Sequence, residues 1–228
     1  MACIAFQKAL ELAEDHLSRY PKNHVMIVTS GINSRWFRLV KDIQNIVEPE
    51  KIKEISSLKT RTHELKKWAA TIAFFLFGDG TSSIIVKKGS EGITVKKKIH
   101  LTNLNEKDYL VADIRLESQA KLFNFEIYPP LDRRIPELCL NYCSLMLNKI
   151  FSNTPLPNIG PPVKKWLVHT GSRTILGKIA KTYGIAHEQI QESYTVLQDY
   201  DNLAGASLPF ILNKTIETDR LKEGESLM

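Results

Sequence analysis

Three polar side chains in this sequence are placed for chemistry. His169 closes the short apolar run Trp166-Leu-Val168, at what reads as the carboxyl end of a buried strand, the position where sheet crevices bind ligands. Asn202 follows a second candidate strand, Tyr194-Thr-Val-Leu197, and precedes the small apolar stretch Leu203-Ala-Gly-Ala-Ser-Leu208, which leaves its amide at the mouth of a closely packing helix. Two strand ends thus present an imidazole and an amide. Cys3 lies at or near the start of a helix opening at Met1-Ala-Cys-Ile-Ala-Phe6, where the helix terminus lowers a thiol pKa and so makes a nucleophile. Each residue also has an ordinary reading: a hydrogen-bonded core or surface histidine, a helix-capping asparagine, and a cysteine that merely follows the initiator methionine.

The surrounding elements are what must hold these groups. Ala5, Ala9, Leu12, Ala13 and His16 recur at helical spacing, and Pro21 closes that helix. Val25-Met-Ile-Val28 reads as the strand that follows. Phe77-Gly78-Asp79-Gly80 is a tight glycine turn feeding the strand Thr81 to Val86, with Asp79 a turn residue rather than a catalytic acid. Gly89-Ser-Glu-Gly92 and the alternation from Ile93 to Ile99 suggest a hairpin at an exposed edge. The polar stretch from Thr102 to Leu116 reads as a linker, and Phe123 to Ile127 alternates as a half-buried strand does, ended by Pro129 and Pro130. Ile135, Leu138, Cys139, Tyr142, Leu145, Met146 and Ile150 trace one helix face. Ile175, Ile179 and Tyr183 trace another, with Gly184 as its stop.

Composition narrows the function classes. The chain has 228 residues, 43% hydrophobic and 25% charged, enough for one large domain or two small ones. Its longest apolar stretch, Ala69 to Phe77, falls short of the roughly 18 residues of a membrane span, and no charged-then-apolar signal opens the sequence, so a soluble, cytoplasmic protein is expected. Three cysteines fit a reducing compartment. Cys139 and Cys143 stand one helical turn apart without His or Cys partners at zinc-site spacing, so no metal site is expected. The net charge of +6 gathers at Lys87-Lys88, Lys96-Lys97-Lys98 and Lys164-Lys165. Aromatics do not interleave with these lysines as nucleic-acid binding requires, and the charge suits an acidic carrier protein or coenzyme A.

Four segments, in order, resemble the motifs of the thiolase-like condensing enzymes. Ala-Cys-Ile-Ala-Phe around Cys3 is similar to their nucleophile elbow Ala-Cys-Ala-Gly-Phe. Phe77-Gly-Asp-Gly80 resembles their Phe-Gly-Asp-Gly-Ala segment. Val-His-Thr-Gly-Ser-Arg at His169 is closer to the His-Pro-Gly-Gly of chalcone synthases than to the His-Gln-Ala-Asn of beta-ketoacyl-acyl-carrier-protein synthase III. Tyr-Asp-Asn-Leu-Ala-Gly-Ala-Ser-Leu-Pro-Phe at Asn202 resembles the synthase III helix, Pro209 included.

The resemblance implies an α/β protein of the thiolase-like layered αβαβα fold, incomplete, with residues 1–100 the later part of the first half and 101–228 most of the second. It implies an acyltransferase in which Cys3 accepts an acyl group while His169 and Asn202 hold a malonyl thioester oxygen during decarboxylation. No cofactor is implied beyond acyl-coenzyme A or acyl-carrier-protein thioesters as substrates, and the partner would be the second copy of a homodimer or another thiolase-like chain. Phe125 falls near a pocket-shaping position. Family members carry residues before the nucleophile and a glycine-rich loop with closing strands after the last helix. The chain by itself is therefore expected to be poorly soluble and inactive. The alternatives are a catalytically inactive subunit or a truncated remnant that needs a partner chain.

Overall fold

The computed structural model describes residues 3–32, 76–101, 134–151, 159, 162–218 and 221–228. Phe125, the linker from Thr102, and the strand from Phe123 to Ile127 lie outside the described residues. The chain divides into two units: Met1–Ile32, Gly78–Leu101 and Pro136–Met228 form one, Asn33–Phe77 and Thr102–Ile135 the other. Cys3, His169 and Asn202 all belong to the first.

Helix α1 spans Ala5–Arg19 and buries Ala13 and Leu17. Leu12, although at helical spacing with the apolar residues, is 70% exposed, so the packed face is centred one step further round. Strand β1, His24–Gly31, pairs antiparallel with β2, Gly80–Lys87, in a register that sets Ile27 opposite Ile84 and Met26 opposite Ile85. The alternation of the strand splits these pairs between two faces. Ile27 and Thr29 are buried, and Met26, Val28 and Ile85 are exposed. Two hydroxyl pairs, Thr29 with Ser82 at 2.7 Å and Ser30 with Thr81 at 2.9 Å, fasten the ladder near the glycine turn.

The hairpin expected from Ile93 to Ile99 does not form: β2 ends at Lys87 and the following residues are bent or irregular. Their long side chains have other uses. Lys97 Nζ donates to the Lys149 carbonyl at 2.9 Å, at the carboxyl end of the next helix, and Lys98 pairs with Glu14 of α1. Ile93 and Val95 stay exposed, so the alternation buries no face.

Helix α2, Ile135–Ile150, packs through Leu140, Cys143 and Leu147 rather than through Leu145, which is exposed. Helix α3, Arg173–Tyr183, begins where the Ser172 hydroxyl accepts the Ile175 N–H at 3.2 Å, and it ends at Gly184 with φ 65°. That left-handed cap is glycine territory. Helix α4 runs His187–Tyr200 and buries Ile190, Ser193 and Val196. The expected strand Tyr194 to Leu197 is therefore helical. Its β-branched and aromatic residues favour a strand locally, but the spacing of Ile190, Ser193 and Val196 fits the helical period, and core packing decides. A 3-10 turn, Ala204–Ala206, then leads into α5, Ser207–Thr218. Pro209 sits in the first turn of α5, where its missing N–H costs nothing.

The core joins α2, α3 and α4 around Leu176, Ile179, Tyr183 and Ile190, with Trp166 stacked on Tyr183 at 6.5 Å between ring centres. Buried Tyr183 satisfies its hydroxyl on Ser144 at 2.8 Å and on the Leu140 carbonyl at 3.2 Å. The strand expected at Trp166 to Val168 is not formed: these residues have no regular secondary structure, and the segment is tied down by an isolated parallel bridge of Lys165 to Leu227 and by the Leu167 N–H, which donates to the Met228 carbonyl at 2.7 Å. Among the described residues no helix is long and apolar enough to cross a membrane, and no group of three or more His, Cys, Asp or Glu side chains could hold a metal ion.

Candidate active site

His169 is pinned from both sides. Before it, the Val168 N–H donates to Ser193 Oγ at 2.9 Å, and that hydroxyl donates to the Trp166 carbonyl at 3.3 Å. After it, the Gly171 N–H returns to the His169 carbonyl at 2.8 Å in a three-residue turn, and Ser172 opens α3. A side chain at position 171 would come within 3.2 Å of Ile175, so the turn is close-packed. The imidazole itself is left over: both ring nitrogens are buried, and neither has a hydrogen-bond partner among the described residues. Burial alone drives its pKa down to about 4, so at neutral pH the ring is uncharged, with one N–H to donate. Buried polar atoms without partners are rare enough in native proteins to need a reason.

Asn202 stands in a strained turn, after a helix rather than after a strand. The preceding Asp201 adopts φ 59°, ψ −154°, a region that non-glycine residues seldom enter and that costs of order 1–3 kcal/mol. Surrounding bonds hold it there. Asp201 N–H donates to the Leu197 carbonyl at 3.1 Å, Gly78 N–H to the Asn202 carbonyl at 3.2 Å, and Ala204 N–H to Asn202 Oδ1 at 2.9 Å. The last bond uses the acceptor of the buried Asn202 amide and fixes its orientation, so Nδ2 is the group left to donate. Asn202 is thus both the cap of its turn and a positioned amide.

The His169 segment and the Asn202 turn meet through Thr170. Its buried hydroxyl lies 2.8 Å from Ser207 Oγ and donates to the Asp201 carbonyl at 3.3 Å, joining the residue after His169 to the residue before Asn202. The glycine turn supports the same loop. A Cβ at Gly78 would stand 1.9 Å from the Tyr200 carbonyl oxygen, and one at Gly80 would stand 2.9 Å from Leu203. Only glycine lets the backbone pass there. The 3-10 turn after Asn202 packs on α1, β1 and β2, which brings the helix that follows Cys3 onto the same substructure.

Cys3 itself lies just ahead of Ile4, the residue that caps α1. Its half-buried thiol is pushed above the ordinary range by burial, the opposite of the lowering expected from a helix terminus. Desolvation of the thiolate outweighs the attraction of the amino-terminal positive charge at this position. The other two thiols are shifted the same way, Cys143 to about 11, so none is activated. Thr170, Ser193 and Ser207 carry the architecture of the site yet were not singled out from the sequence. Their one signal was a hydroxyl at an otherwise apolar, helix-facing position, which is common in any chain.

No family model matches the sequence. Among curated proteins, type III polyketide synthase B of Arabidopsis thaliana is 26% identical over 149 residues, 64% of this chain and 36% of that protein. The beta-ketoacyl-acyl-carrier-protein synthase III of Prochlorococcus marinus is 23% identical over 174 residues, 69% of this chain and 48% of that one. Germicidin synthase of Streptomyces coelicolor, a type III polyketide synthase of known structure, superposes with a TM-score of 0.71 at 18% identity, over 99% of this chain and 51% of its own. The fold is that of the thiolase-like enzymes, and the sequence is similar to condensing enzymes of that superfamily. It spans about half the length or less of the curated relatives named here.

Proposed function

We propose that the chain carries the decarboxylative Claisen condensation of the type III polyketide synthase and synthase III class. In this reading the Cys3 thiolate attacks an acyl thioester of coenzyme A or an acyl carrier protein, forming an acyl-cysteine and releasing the donor thiol. His169 and Asn202 then donate to the thioester oxygen of a malonyl extender. As its carboxylate carbon departs as carbon dioxide, the electron pair of the broken bond moves into an enolate held by those donors. The enolate carbon attacks the acyl carbonyl and expels the Cys3 thiolate. The thioester already activates the α carbon, so no metal or redox cofactor takes part. The partner is a second thiolase-like chain, identical or not, in the cytoplasm. Residues 1–100 and 101–228 would contribute the later part of one half and most of the other, and Phe125 would shape the acyl pocket.

The observation that carries this reading is the pair of donors. A neutral imidazole with no partner for its buried nitrogens stands beside a turn whose asparagine amide is oriented to donate. A neutral donor suits an oxyanion that is made and lost within the cycle, because it stabilises the anion by hydrogen bonding and leaves no buried charge when the anion is gone. One observation favours the alternative of a catalytically inactive subunit: burial holds the Cys3 thiol neutral.

Isolation of the native assembly through a tag on this chain separates the two. With acyl-coenzyme A, mass spectrometry should find the acyl group on Cys3; an adduct on Cys139 or Cys143 alone rejects the assignment. Asn202→Asp keeps an acceptor for the Ala204 N–H but removes the donor, so malonyl decarboxylation should fall by about a hundredfold or more while Cys3 acylation persists. Equal rates in the variant and the parent would remove Asn202 from the reaction.

A further inference from the structure

The hydroxyls of Thr170 and Ser207 belong to no step of the proposed chemistry, yet both side chains are fully buried and lie within 2.8 Å of each other between the two donors. Proton counting orders the chain of bonds. Thr170 has one hydroxyl proton, and the Asp201 carbonyl, which can only accept, takes it at 3.3 Å; Ser207 therefore donates to Thr170. Each hydroxyl is used, and the chain ends on the carbonyl of the strained residue next to Asn202. Such a relay in a dry interior is strong when complete and costly when one member is lost.

We propose that Thr170 is a positioning residue that, through Ser207 and the Asp201 carbonyl, holds the His169 end in register with the Asn202 turn so that both donors reach one thioester oxygen. The proposal rests on the condensing reading for its catalytic consequence, although the register itself is a structural claim. Thr170 touches no substrate. It acts by denying His169 and Asn202 independent motion: Val168 and Gly171 fix the histidine within its own segment, and only Thr170 links that segment by side-chain hydrogen bonds to the asparagine turn among the described residues.

The test compares Thr170→Val, Thr170→Ser and Ser207→Ala in the native assembly, with two readouts. Deuterium exchange at the His169 Cε1–H, followed by mass spectrometry across pH, reports the environment of the imidazole without any need for activity. Malonyl thioester decarboxylation reports the donors together. Thr170→Val should move His169 from its value of about 4 by about one unit or more toward the ordinary 6.5, as loosened packing admits water. It should also lower kcat by about tenfold or more with little change in KM, the pattern of an interaction lost mainly in the transition state. Thr170→Ser should restore both, and Ser207→Ala should share part of both defects. The proposal is overturned if Thr170→Val leaves the imidazole titration unchanged, or if Thr170→Ser behaves as the valine variant does. Where valine prevents folding, the serine and Ser207→Ala variants decide by the same criteria. A parent protein without decarboxylase activity would refute the condensing reading, while the exchange measurement would still decide the role of Thr170.

Discussion

The backbone N–H of Gly78 donates to the carbonyl oxygen of Asn202 across 3.2 Å, and no room exists between the two segments for even a methyl group. The glycine turn that begins β2 is therefore a wall of the asparagine loop. This assigns Gly78 an architectural function and ties the stability of the small sheet to the geometry of the candidate site.

Replacement of Gly78 by alanine tests that coupling. Its Cβ would meet the Tyr200 carbonyl oxygen at 1.9 Å, a backbone atom that cannot swing aside, so the chain must shift. A loss of about 2 kcal/mol or more in denaturant unfolding is expected. Gly89→Ala is the control, because nothing lies within 4 Å of its Cβ, and it should stay within about 0.5 kcal/mol of the parent.

Acid should weaken the fold through His169. Its folded pKa of about 4 lies below the ordinary 6.5, so between those values the unfolded chain binds a proton that the folded chain refuses. Stability is thus present above about pH 6.5 and is lost as pH falls toward 4. The loss approaches on the order of 3 kcal/mol at the acid end. The difference between parent and His169→Gln, followed by denaturant unfolding at a series of pH values, isolates this contribution from the carboxylates. A flat difference curve would mean that the imidazole is not buried.

The three thiols should react late and unequally. Burial raises all three, so alkylation by iodoacetamide should be slow at pH 7 and should rise above pH 9. Cys143, pushed to about 11 by burial and the neighbouring Cys139, should require the highest pH of the three. Peptide mapping after timed alkylation reads the order directly. Fast labelling of Cys3 at neutral pH would show that its thiolate is stabilised by groups beyond those described, and would favour the acyl-acceptor reading over the inactive one.

Much of this site was legible in the order of residues. The helix after Cys3, the glycine turn at Gly78 and the cap at Gly184 follow from local rules, because period, chain reversal and capping depend on neighbours a few residues away, whereas the two strand ends expected before His169 and Asn202 do not form. What failed was local preference set against packing. Tyr194 to Leu197 looks like a strand and is helix, since Ile190, Ser193 and Val196 must face the core together. Ile93 to Ile99 alternates and forms no strand; its lysines bond instead to Glu14 within α1 and to the carboxyl end of α2. Ionisation was equally out of reach. Whether the Cys3 thiol is lowered by a helix end or raised by burial, and how far His169 is driven below its usual value, depend on how much water each group loses, and that is decided only when distant segments close over them. The sequence determined which groups are present and in what order; the tertiary structure alone decided that Thr170 would join the histidine and the asparagine, because residues far apart in the chain become hydrogen-bond partners only through the fold.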